Sequence, residues 1–311
     1  MNVDVVIVTY NRLEKLKKAL TSYENQTKSF RNMIVVNNHS TDGTYEYLEE
    51  WKLQTAPFAK YVITTEDNLG GSGGFYTGQK FAMALEPDWV YLADDDAYAE
   101  RDMMEQFYKF CETQDVNKLS AICGAVCNVE GGIAYHHRST YEIIGKRFYK
   151  RYSSVPEDYK KECFPIDMLS YVCSFINAKA IKKVGMVNPR YFIYYDDTEH
   201  SIRLKKYGDI LCVPAIRIDH EDAGNATIGQ NIEVSWQNYY SDRNKNHMLK
   251  KHHFIAAVFN AKHLLKEIKR GEYTAAQACL IRHALRDAWL GRLGKHHKYK
   301  PGWKKVYAED K

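Results

Sequence analysis

The sequence contains no uninterrupted apolar run of about 18 residues, the length at which a helix can cross a bilayer. A membrane-spanning segment is therefore not expected. The opening stretch MNVDVVIVTYN has no basic region ahead of its short apolar run, so it does not read as a secretory signal peptide. These two absences predict a cytoplasmic protein.

Paired cysteine spacing is also missing. The seven cysteines form an odd set, and most of them lie within apolar runs, which indicates buried, reduced thiols. Cys123 and Cys127 form the one close pair, and no second pair stands at zinc-ribbon spacing. Neither a disulfide framework nor a structural zinc site is expected.

The charge of the chain is divided unevenly. The 311 residues carry a formal net charge of +5, whereas residues 241–311 alone carry +11, which leaves −6 for residues 1–240. The two parts therefore face different partners. The chain also has 24 tyrosines, whose rings can stack on a sugar or a base and hydrogen-bond to it.

Strand patterns alternate with helix patterns in the first hundred residues. VDVVIVTY (3–10) has the apolar, β-branched character of a buried parallel strand, and Leu13, Leu16 and Leu20 follow at helical spacing. The pattern repeats twice, and WVYLADDD supplies a fourth strand. We predict an α/β fold with a mostly parallel sheet flanked by helices, a first domain over 1–240 and a basic helical extension over 241–311.

Polar or glycine-rich segments follow each of the four predicted strands. They are TYNR, NNHSTDG, DNLGGSGG and ADDDA. In open sheets of this kind ligands bind beyond the carboxyl ends of the strands, so the four segments are expected to line one crevice.

The acidic triplet of Asp94, Asp95 and Asp96 emerges directly from an apolar segment. Three neighbouring carboxylates repel one another and are costly to bury without compensation. Side chains alternate along an extended backbone, so Asp94 and Asp96 would offer two oxygens to a hard divalent cation from one side. The alternative is a solvated acidic turn before the next helix.

Four glycines crowd into DNLGGSGGF (67–75), at positions 70, 71, 73 and 74. Such a stretch lets the backbone approach a diphosphate or a sugar closely, and Asn68 beside it suits a ligand hydroxyl. The stretch lacks the Gly-Lys-Ser/Thr ending of a P-loop. A flexible turn without ligand is the alternative.

A second acidic set, Asp196, Asp197 and Glu199, follows the apolar run Phe192–Tyr195. A carboxylate at the mouth of a crevice can act as a general base, and helix capping is the alternative role. His220 follows another predicted strand. A lone histidine is most often structural, but beside two aspartates it would complete a site suited to a manganese-like ion.

Taken in order, VVIVTYNR, VVNNHSTDGT, DNLGGSGGF, YLADDDA and FIYYDDTEHSIRLKKYG resemble the family 2 glycosyltransferases, which have the GT-A nucleotide-diphospho-sugar transferase fold. The resemblance covers about residues 3–222 and is strongest to the galactofuranosyltransferase-like branch. Two departures stand out: Asn37 replaces a carboxylate common in related enzymes, and Tyr195 and His200 stand where the family often has Trp.

The resemblance implies a role for each matching position. Thr9, Arg12 and Asn38 would hold the uridine, and Asn68, Gly70, Gly71, Gly73 and Gly74 the rest of the donor. Asp94 and Asp96 would bind the ribose and a Mn²⁺ or Mg²⁺ ion, with Asp95 and Asp196 among the donor contacts. Asp197 would be the catalytic base and His220 a further metal ligand.

The implied activity is inverting, metal-dependent transfer of galactofuranose from a UDP-sugar to a glycan or lipid-linked acceptor in cell-surface polysaccharide synthesis. Transfer of rhamnose or another hexose, a non-catalytic sugar-binding module and a glycosidase are the alternatives. Residues 241–311 could contact an anionic membrane surface on the inner face of the cell membrane, a second subunit or the catalytic domain. No nucleic-acid partner is expected.

Overall fold

The structure, a computed structural model, describes residues 1–221 and 232–307 of the chain. Its strands, in chain order, are β1 (Val3–Thr9), β2 (Asn32–Asn37), β3 (Ala59–Thr64), β4 (Trp89–Asp94), β5 (Ala97–Ala99), β6 (Leu119–Asn128), β7 (Arg138–Ile144), β8 (Phe148–Ser153), β9 (Phe164–Ile166), β10 (Met168–Leu169), β11 (Ser174–Asn177), β12 (Asp209–His220), β13 (Ile232–Ser235) and β14 (Lys304–Tyr307). Its helices are α1 (Leu13–Glu24), α2 (Thr44–Trp51), α3 (Gly70–Ala84), α4 (Met103–Thr113), α5 (Ala178–Val184), α6 (Asp196–Leu204), α7 (Trp236–His252), α8 (Phe254–Lys269) and α9 (Ala275–Leu290).

The central sheet has nine strands in the order β3-β2-β1-β4-β11-β6-β12-β5, and β9 pairs with β12 beside this path. Strands β1, β2, β3, β4, β6 and β12 run in one direction, while β5, β9 and β11 run in the opposite one. Every residue of β1 and β2 is buried, as their apolar character requires of strands covered on both faces. The predicted α/β fold with a mostly parallel, helix-flanked sheet is confirmed.

One edge of this sheet collects the polar strand ends. Thr9 pairs with Asn37 across β1 and β2, and Val8 pairs with Asp94 across β1 and β4. His220 ends β12, which runs parallel to the same strands by way of β6. The crevice predicted from sequence therefore has a physical basis, because parallel strands end at a common edge.

A smaller antiparallel sheet, β10-β7-β8, lies beside the central one. Its strands β7 and β8 form a hairpin whose tip lies between Ile144 and Phe148. Phe148 contacts Phe259 of α8, with the ring centroids 6.2 Å apart. The hairpin is thus joined to the C-terminal helices.

Helix α7 packs against the α/β part of the chain. Its Tyr239 and Tyr240 lie in one buried cluster with Phe192 and with Leu280 of α9. The helix starts at Trp236, so the predicted boundary at residue 240 falls inside it. The division into domains 1–240 and 241–311 stays a prediction, and residues 222–231 and 308–311 lie outside the described residues.

Within residues 1–221 and 232–307, no helix combines the length and the apolar character needed to cross a membrane. All seven cysteines, each of which lies in the described part of the chain, are free thiols.

Candidate active site

The acidic triplet sits where β4 gives way to β5. Asp94 is the last residue of β4, Asp95 and Asp96 form the turn, and β5 begins at Ala97. Because Ala97 pairs with His220 of β12, the histidine is carried to the same turn. Ligand atoms of Asp94, Asp96 and His220 lie within 4.8 Å of one another.

This arrangement corrects one step of the sequence reasoning. Asp94 and Asp96 converge because the chain turns between two strands. The predicted cause, alternation of side chains along a single extended strand, is therefore wrong. The imidazole Nε2 of His220 lies 3.2 Å from Oδ1 of Asp96. The three residues predicted to ligate a metal are therefore neighbours in space.

Cationic and hydroxyl groups from the end of β1 compensate two of the three carboxylates. Arg12 Nη1 donates to Asp96 Oδ2 at 2.7 Å and to Asp95 Oδ1 at 3.3 Å. The Thr9 hydroxyl donates to Asp95 Oδ2 at 2.7 Å, and Lys15 Nζ lies 3.5 Å from Asp96. Thr9 and Arg12, which the resemblance assigned to uridine, are thus bonded to the acidic turn.

Asp94 carries the least compensated charge of the triplet. Burial, and then the charge of Asp96, raise the pKa of Asp94 to about 7, and burial raises the pKa of Asp95 to about 6. Burial would also raise the pKa of Asp96, but its hydrogen bond to His220 and the positive charges around it lower that pKa below its ordinary value. A divalent cation touching Asp94 would supply the missing positive charge, so the residues fit such an ion.

The glycine-rich stretch forms the first turn of helix α3 and is not a loop. At Gly70, φ is +73°, and a side chain there would collide with the carbonyl of Phe192. A side chain at Gly71 would meet no atom within 4 Å, whereas one at Gly73 would strike Leu69 and one at Gly74 would strike Val8. Gly73 and Gly74 therefore permit close packing of α3 on its surroundings.

Two asparagines hold this turn in place. Asn38 Nδ2 donates to the carbonyl of Gly70 at 3.0 Å and to Asn68 Oδ1 at 3.2 Å. Asn68 Oδ1 also accepts from Gly70 N at 2.8 Å, and Asn38 Oδ1 accepts from Leu69 N at 2.9 Å. The side-chain amides of Asn38 and Asn68 therefore shape the cavity wall, a role that the sequence did not predict. The ligand contacts predicted for them stay a prediction.

A cavity of about 270 Å³ opens at this edge of the sheet. Eight residues predicted as donor contacts line it: Thr9, Arg12, Asn38, Asn68, Gly70, Gly71, Asp94 and Asp95. Gly73, Gly74 and Asp196, which were predicted as donor contacts too, are not among the described residues that line it. The same holds for Asp197, the predicted base, and for Asp96 and His220, two of the predicted metal ligands.

Sequence reasoning missed seven residues that line the cavity, two of which, Val8 and Tyr10, lie at the end of β1. Phe192 and Ile193 come from the segment ahead of α6, while Trp236, Gln237 and Pro301 come from the C-terminal part of the chain. Lys295 adds an ion pair with Asp67, 3.0 Å away. The one sequence signal at Trp236 is an aromatic residue at the start of a helix. This signal does not show that Trp236 lines the same cavity as Asp94, which lies more than 140 positions away in the chain.

Asp196 and Asp197 begin helix α6 immediately after the segment Phe192–Tyr195, of which Phe192 and Ile193 line the cavity. Burial, and then the charge of Asp197, raise the pKa of Asp196 to about 7. Burial also raises the pKa of Asp197, and the positive charge of Arg151 on β8 acts against this rise. Asp197 Oδ1 accepts from the Thr198 hydroxyl at 3.0 Å. Two adjacent carboxylates with raised pKa values suit proton transfer near neutral pH.

Glu199, the third acid of the set, points toward α7. It is fully buried and lies within 3 Å of Arg203 Nε, Lys251 Nζ and His252 Nε2. Burial would raise the pKa of Glu199, yet the His252 hydrogen bond and the charges of Arg203 and Lys251 hold it well below its ordinary value. Glu199 therefore anchors α6 to the end of α7.

Comparison with known proteins gives three findings. Residues 4–185 match the sequence family described as glycosyl transferase family 2. The chain is 28% identical over 207 residues to the galactofuranosyltransferase GlfT1 of Mycobacterium tuberculosis, a match covering 67% of this chain and 66% of that protein. GlfT1 of Mycolicibacterium smegmatis is 24% identical over 204 residues, covering 65% of each chain. The matched region thus spans just under two thirds of these relatives.

Two solved structures share the fold. GalNAc-T7 with UDP, GalNAc and Mn²⁺ superposes with a TM-score of 0.59 at 14% identity, covering 80% of this chain and 48% of that one. TarS residues 1–349 of S. aureus in complex with UDP-GlcNAc superposes with a TM-score of 0.57 at 16% identity, covering 93% and 80%.

Proposed function

The chain belongs to glycosyltransferase family 2, and on this basis we propose that it transfers galactofuranose from UDP-galactofuranose to a hydroxyl of a glycan or lipid-linked acceptor in cell-surface polysaccharide synthesis. The observation that carries the proposal is the cavity at the sheet edge, where the acidic turn, the asparagine-braced glycine turn and Trp236 converge. The choice of sugar is supported by the relatives named galactofuranosyltransferase.

Asp94, Asp96 and His220 would hold the divalent cation, Mn²⁺ or Mg²⁺. Two carboxylate oxygens and an imidazole nitrogen form a donor set that such ions accept. When bound, the cation would offset the negative charge that grows on the diphosphate as it leaves. The start of α3 lines the same cavity through Gly70 and Gly71, and the N-terminus of a helix favours anions. The amides of Gly70 and Ser72 are themselves bonded to Asn68 and to the carbonyl of Phe192.

Asp197 is the proposed general base. Its carboxylate would take the proton of the acceptor hydroxyl while the hydroxyl oxygen attacks the anomeric carbon from the side opposite the diphosphate. The bond between that carbon and the phosphate oxygen breaks, and its electron pair leaves with UDP. The sugar would therefore be transferred with inversion.

The test is a panel of nucleotide sugars assayed for release of UDP or of another nucleotide diphosphate, with and without Mn²⁺. Transfer from UDP-galactofuranose in preference to UDP-galactose, UDP-glucose and a rhamnose donor is expected. Preference for another donor would replace galactofuranose with rhamnose or another hexose. Nucleotide binding without turnover would favour a non-catalytic sugar-binding module.

Asp197→Asn separates chemistry from binding. General-base assistance contributes about 10²- to 10⁴-fold, so turnover is expected to fall by at least about 100-fold while UDP affinity stays within about threefold. Asp158→Asn, at a partly exposed aspartate paired with Lys161, is the control and should keep normal turnover. Near-normal rates for Asp197→Asn would remove it from the role of base.

We also propose peripheral contact with an anionic membrane at the inner face of the cell membrane, through a surface formed by α8 and the β7–β8 hairpin. Phe148, Phe254, Ile255 and Leu265 are exposed large apolar side chains, with exposures from 43% to 59%. Their neighbours are basic: Arg147 lies 4.9 Å from the Phe259 ring, and exposed Lys262, Lys266 and Lys269 follow along α8.

This combination favours a lipid surface over a second copy of the chain. Two-fold pairing through the same surface would set its lysines against one another, whereas anionic headgroups would neutralise them. Lys262→Glu/Lys266→Glu is expected to abolish sedimentation with vesicles that contain phosphatidylserine, and Lys118→Glu/Lys160→Glu should not. Sedimentation that the α8 variant leaves unchanged would contradict the proposal, and a dimer in ultracentrifugation that this variant dissociates would favour a second subunit.

A further inference from the structure

The backbone that leads into the two catalytic-site aspartates has an unusual conformation. Phe192, Tyr194 and Tyr195 have φ values of 69°, 64° and 63°, in the left-handed region that residues with side chains rarely adopt. Three such residues among four consecutive positions are strained, and the surrounding structure must hold them in place. Asp196 and Asp197 follow at once, so their placement depends on this segment.

Asn244 of α7 supplies that hold. It is fully buried, and its side-chain NH₂ group donates to three carbonyl oxygens of the segment: Tyr191 at 2.9 Å, Ile193 at 2.8 Å and Tyr194 at 2.9 Å. The side-chain amide of Asn244 thus hydrogen-bonds to backbone carbonyls that would accept from backbone N–H groups in a regular helix or strand.

Arg243 fixes the orientation of that amide. Its Nε donates to Asn244 Oδ1 at 2.9 Å, which leaves the NH₂ group facing the carbonyls. Its Nη2 donates to the carbonyl of Tyr191 at 2.9 Å, and its Nη1 to the carbonyl of Gly294 at 2.7 Å. Arg243 is 1% exposed, so water does not compete for these bonds.

The opposite side of the segment contacts the candidate donor site. The carbonyl of Phe192 accepts from Ser72 N at 3.1 Å, within the glycine turn, and Phe192 and Ile193 line the cavity. The left-handed segment therefore contributes to the cavity wall, is bonded to α7, and is followed directly in the chain by Asp196 and Asp197.

We propose that Asn244 is a positioning residue for the transfer reaction. Through the carbonyls of residues 191–194, with its amide oriented by Arg243, it fixes the left-handed segment and so sets the position of Asp197 at the start of α6. The inference rests on the proposed function for its catalytic consequence, but the structural hold on the segment is measurable without turnover.

The experiment compares Asn244→Asp with Asn246→Asp in the full-length protein. The first change replaces the donating NH₂ group with an oxygen that repels the three carbonyls. Asn246 is its match on the same helix: it is 1% exposed and bonds to Asn260 and to the carbonyl of Asp242. Hydrogen exchange of a peptide covering 190–198, thermal unfolding, UDP affinity and steady-state turnover are measured for both.

Asn244→Asp is expected to speed exchange in 190–198 at least tenfold and to lower kcat at least tenfold, with the KM for the acceptor changing less than threefold. Asn246→Asp should leave both exchange in that peptide and kcat within about twofold of the parent protein, even where it lowers the Tm. Equal exchange and equal kcat in the two variants would overturn the proposal.

Failure of the proposed function and failure of the hold on the segment give different results. If the parent protein transfers no sugar, the proposed function fails, and the exchange comparison alone decides whether Asn244 holds the segment. If Asn244→Asp does not fold, Asn244→Ser, which keeps one donor, takes its place; unchanged exchange in that variant would overturn the hold on the segment.

Discussion

Replacing Glu199 with glutamine should weaken the fold by about 3 kcal/mol, because it removes the negative charge that the cationic side chains of Arg203 and Lys251 share. Glu199 is fully buried, and Arg203, Lys251 and His252 lie 2.9, 2.8 and 2.9 Å from its oxygens. Breaking a buried ion pair costs about 3–5 kcal/mol, since the remaining charges stay desolvated. The Lys251 side chain is 45% exposed and can turn to water, which places the expected loss at the lower end.

The assay is equilibrium unfolding in urea at pH 7, followed by tryptophan fluorescence and by circular dichroism to test for a single transition. Glu14→Gln is the control, because Glu14 pairs with Lys17 at 2.7 Å across three residues but is 80% exposed. An exposed pair of this kind contributes less than about 1 kcal/mol, so the control should unfold almost as the parent protein does.

The pH dependence gives a second readout. The pKa of Glu199 is lower in the folded protein than its ordinary value of 4.5, so its stabilisation is present above pH 4.5 and is lost as the pH falls toward the folded value. The difference between the parent and Glu199→Gln should therefore be present in full at pH 7 and shrink below pH 4.5. A loss under about 1 kcal/mol at pH 7, or a difference that grows in acid, would refute this account of α6 and α7.

Three other changes probe the cavity and the cation site. Gly71→Val should raise the Kd for UDP at least tenfold with an unchanged Tm. Gly78→Ala is the control: its new side chain would strike a valine of β1, so it should lower the Tm and leave the Kd for UDP unchanged. The reverse pattern would contradict the placement of the cavity. Trp236→Ala should weaken UDP binding in calorimetry by at least tenfold and Trp236→Phe by less than threefold, and equal affinities would exclude a contact at Trp236. Asp94→Asn should raise the Mn²⁺ concentration for half-saturation, followed by electron paramagnetic resonance without donor, at least tenfold, and an unchanged value would remove Asp94 from the ligand set.

The sequence by itself determined the fold class and the location of the candidate site. Continuous apolar β-branched runs such as that of β1 are consistent with burial on both faces, and polar residues at strand ends must then meet at one edge. Asp94, Asp96 and His220 could be grouped in advance because each stands at or beside the end of a strand. These patterns are local in the sequence. They predict which residues are neighbours in space because parallel strands end at a common edge of the sheet.

Only the tertiary structure decided what the C-terminal residues do. Charge and helical spacing around 241–311 allowed a membrane surface, a second subunit or the catalytic domain as partner, and they gave no sign that Trp236 and Pro301 line the cavity or that Asn244 holds residues 191–194. Likewise, the sequence does not distinguish the role of Glu199 from those of its acidic neighbours, whereas in the structure its side chain lies among Arg203, Lys251 and His252. Apart from the Glu199–Arg203 pair within α6, these contacts join residues about fifty or more positions apart. No local periodicity records them, because they depend on how separately formed elements pack together.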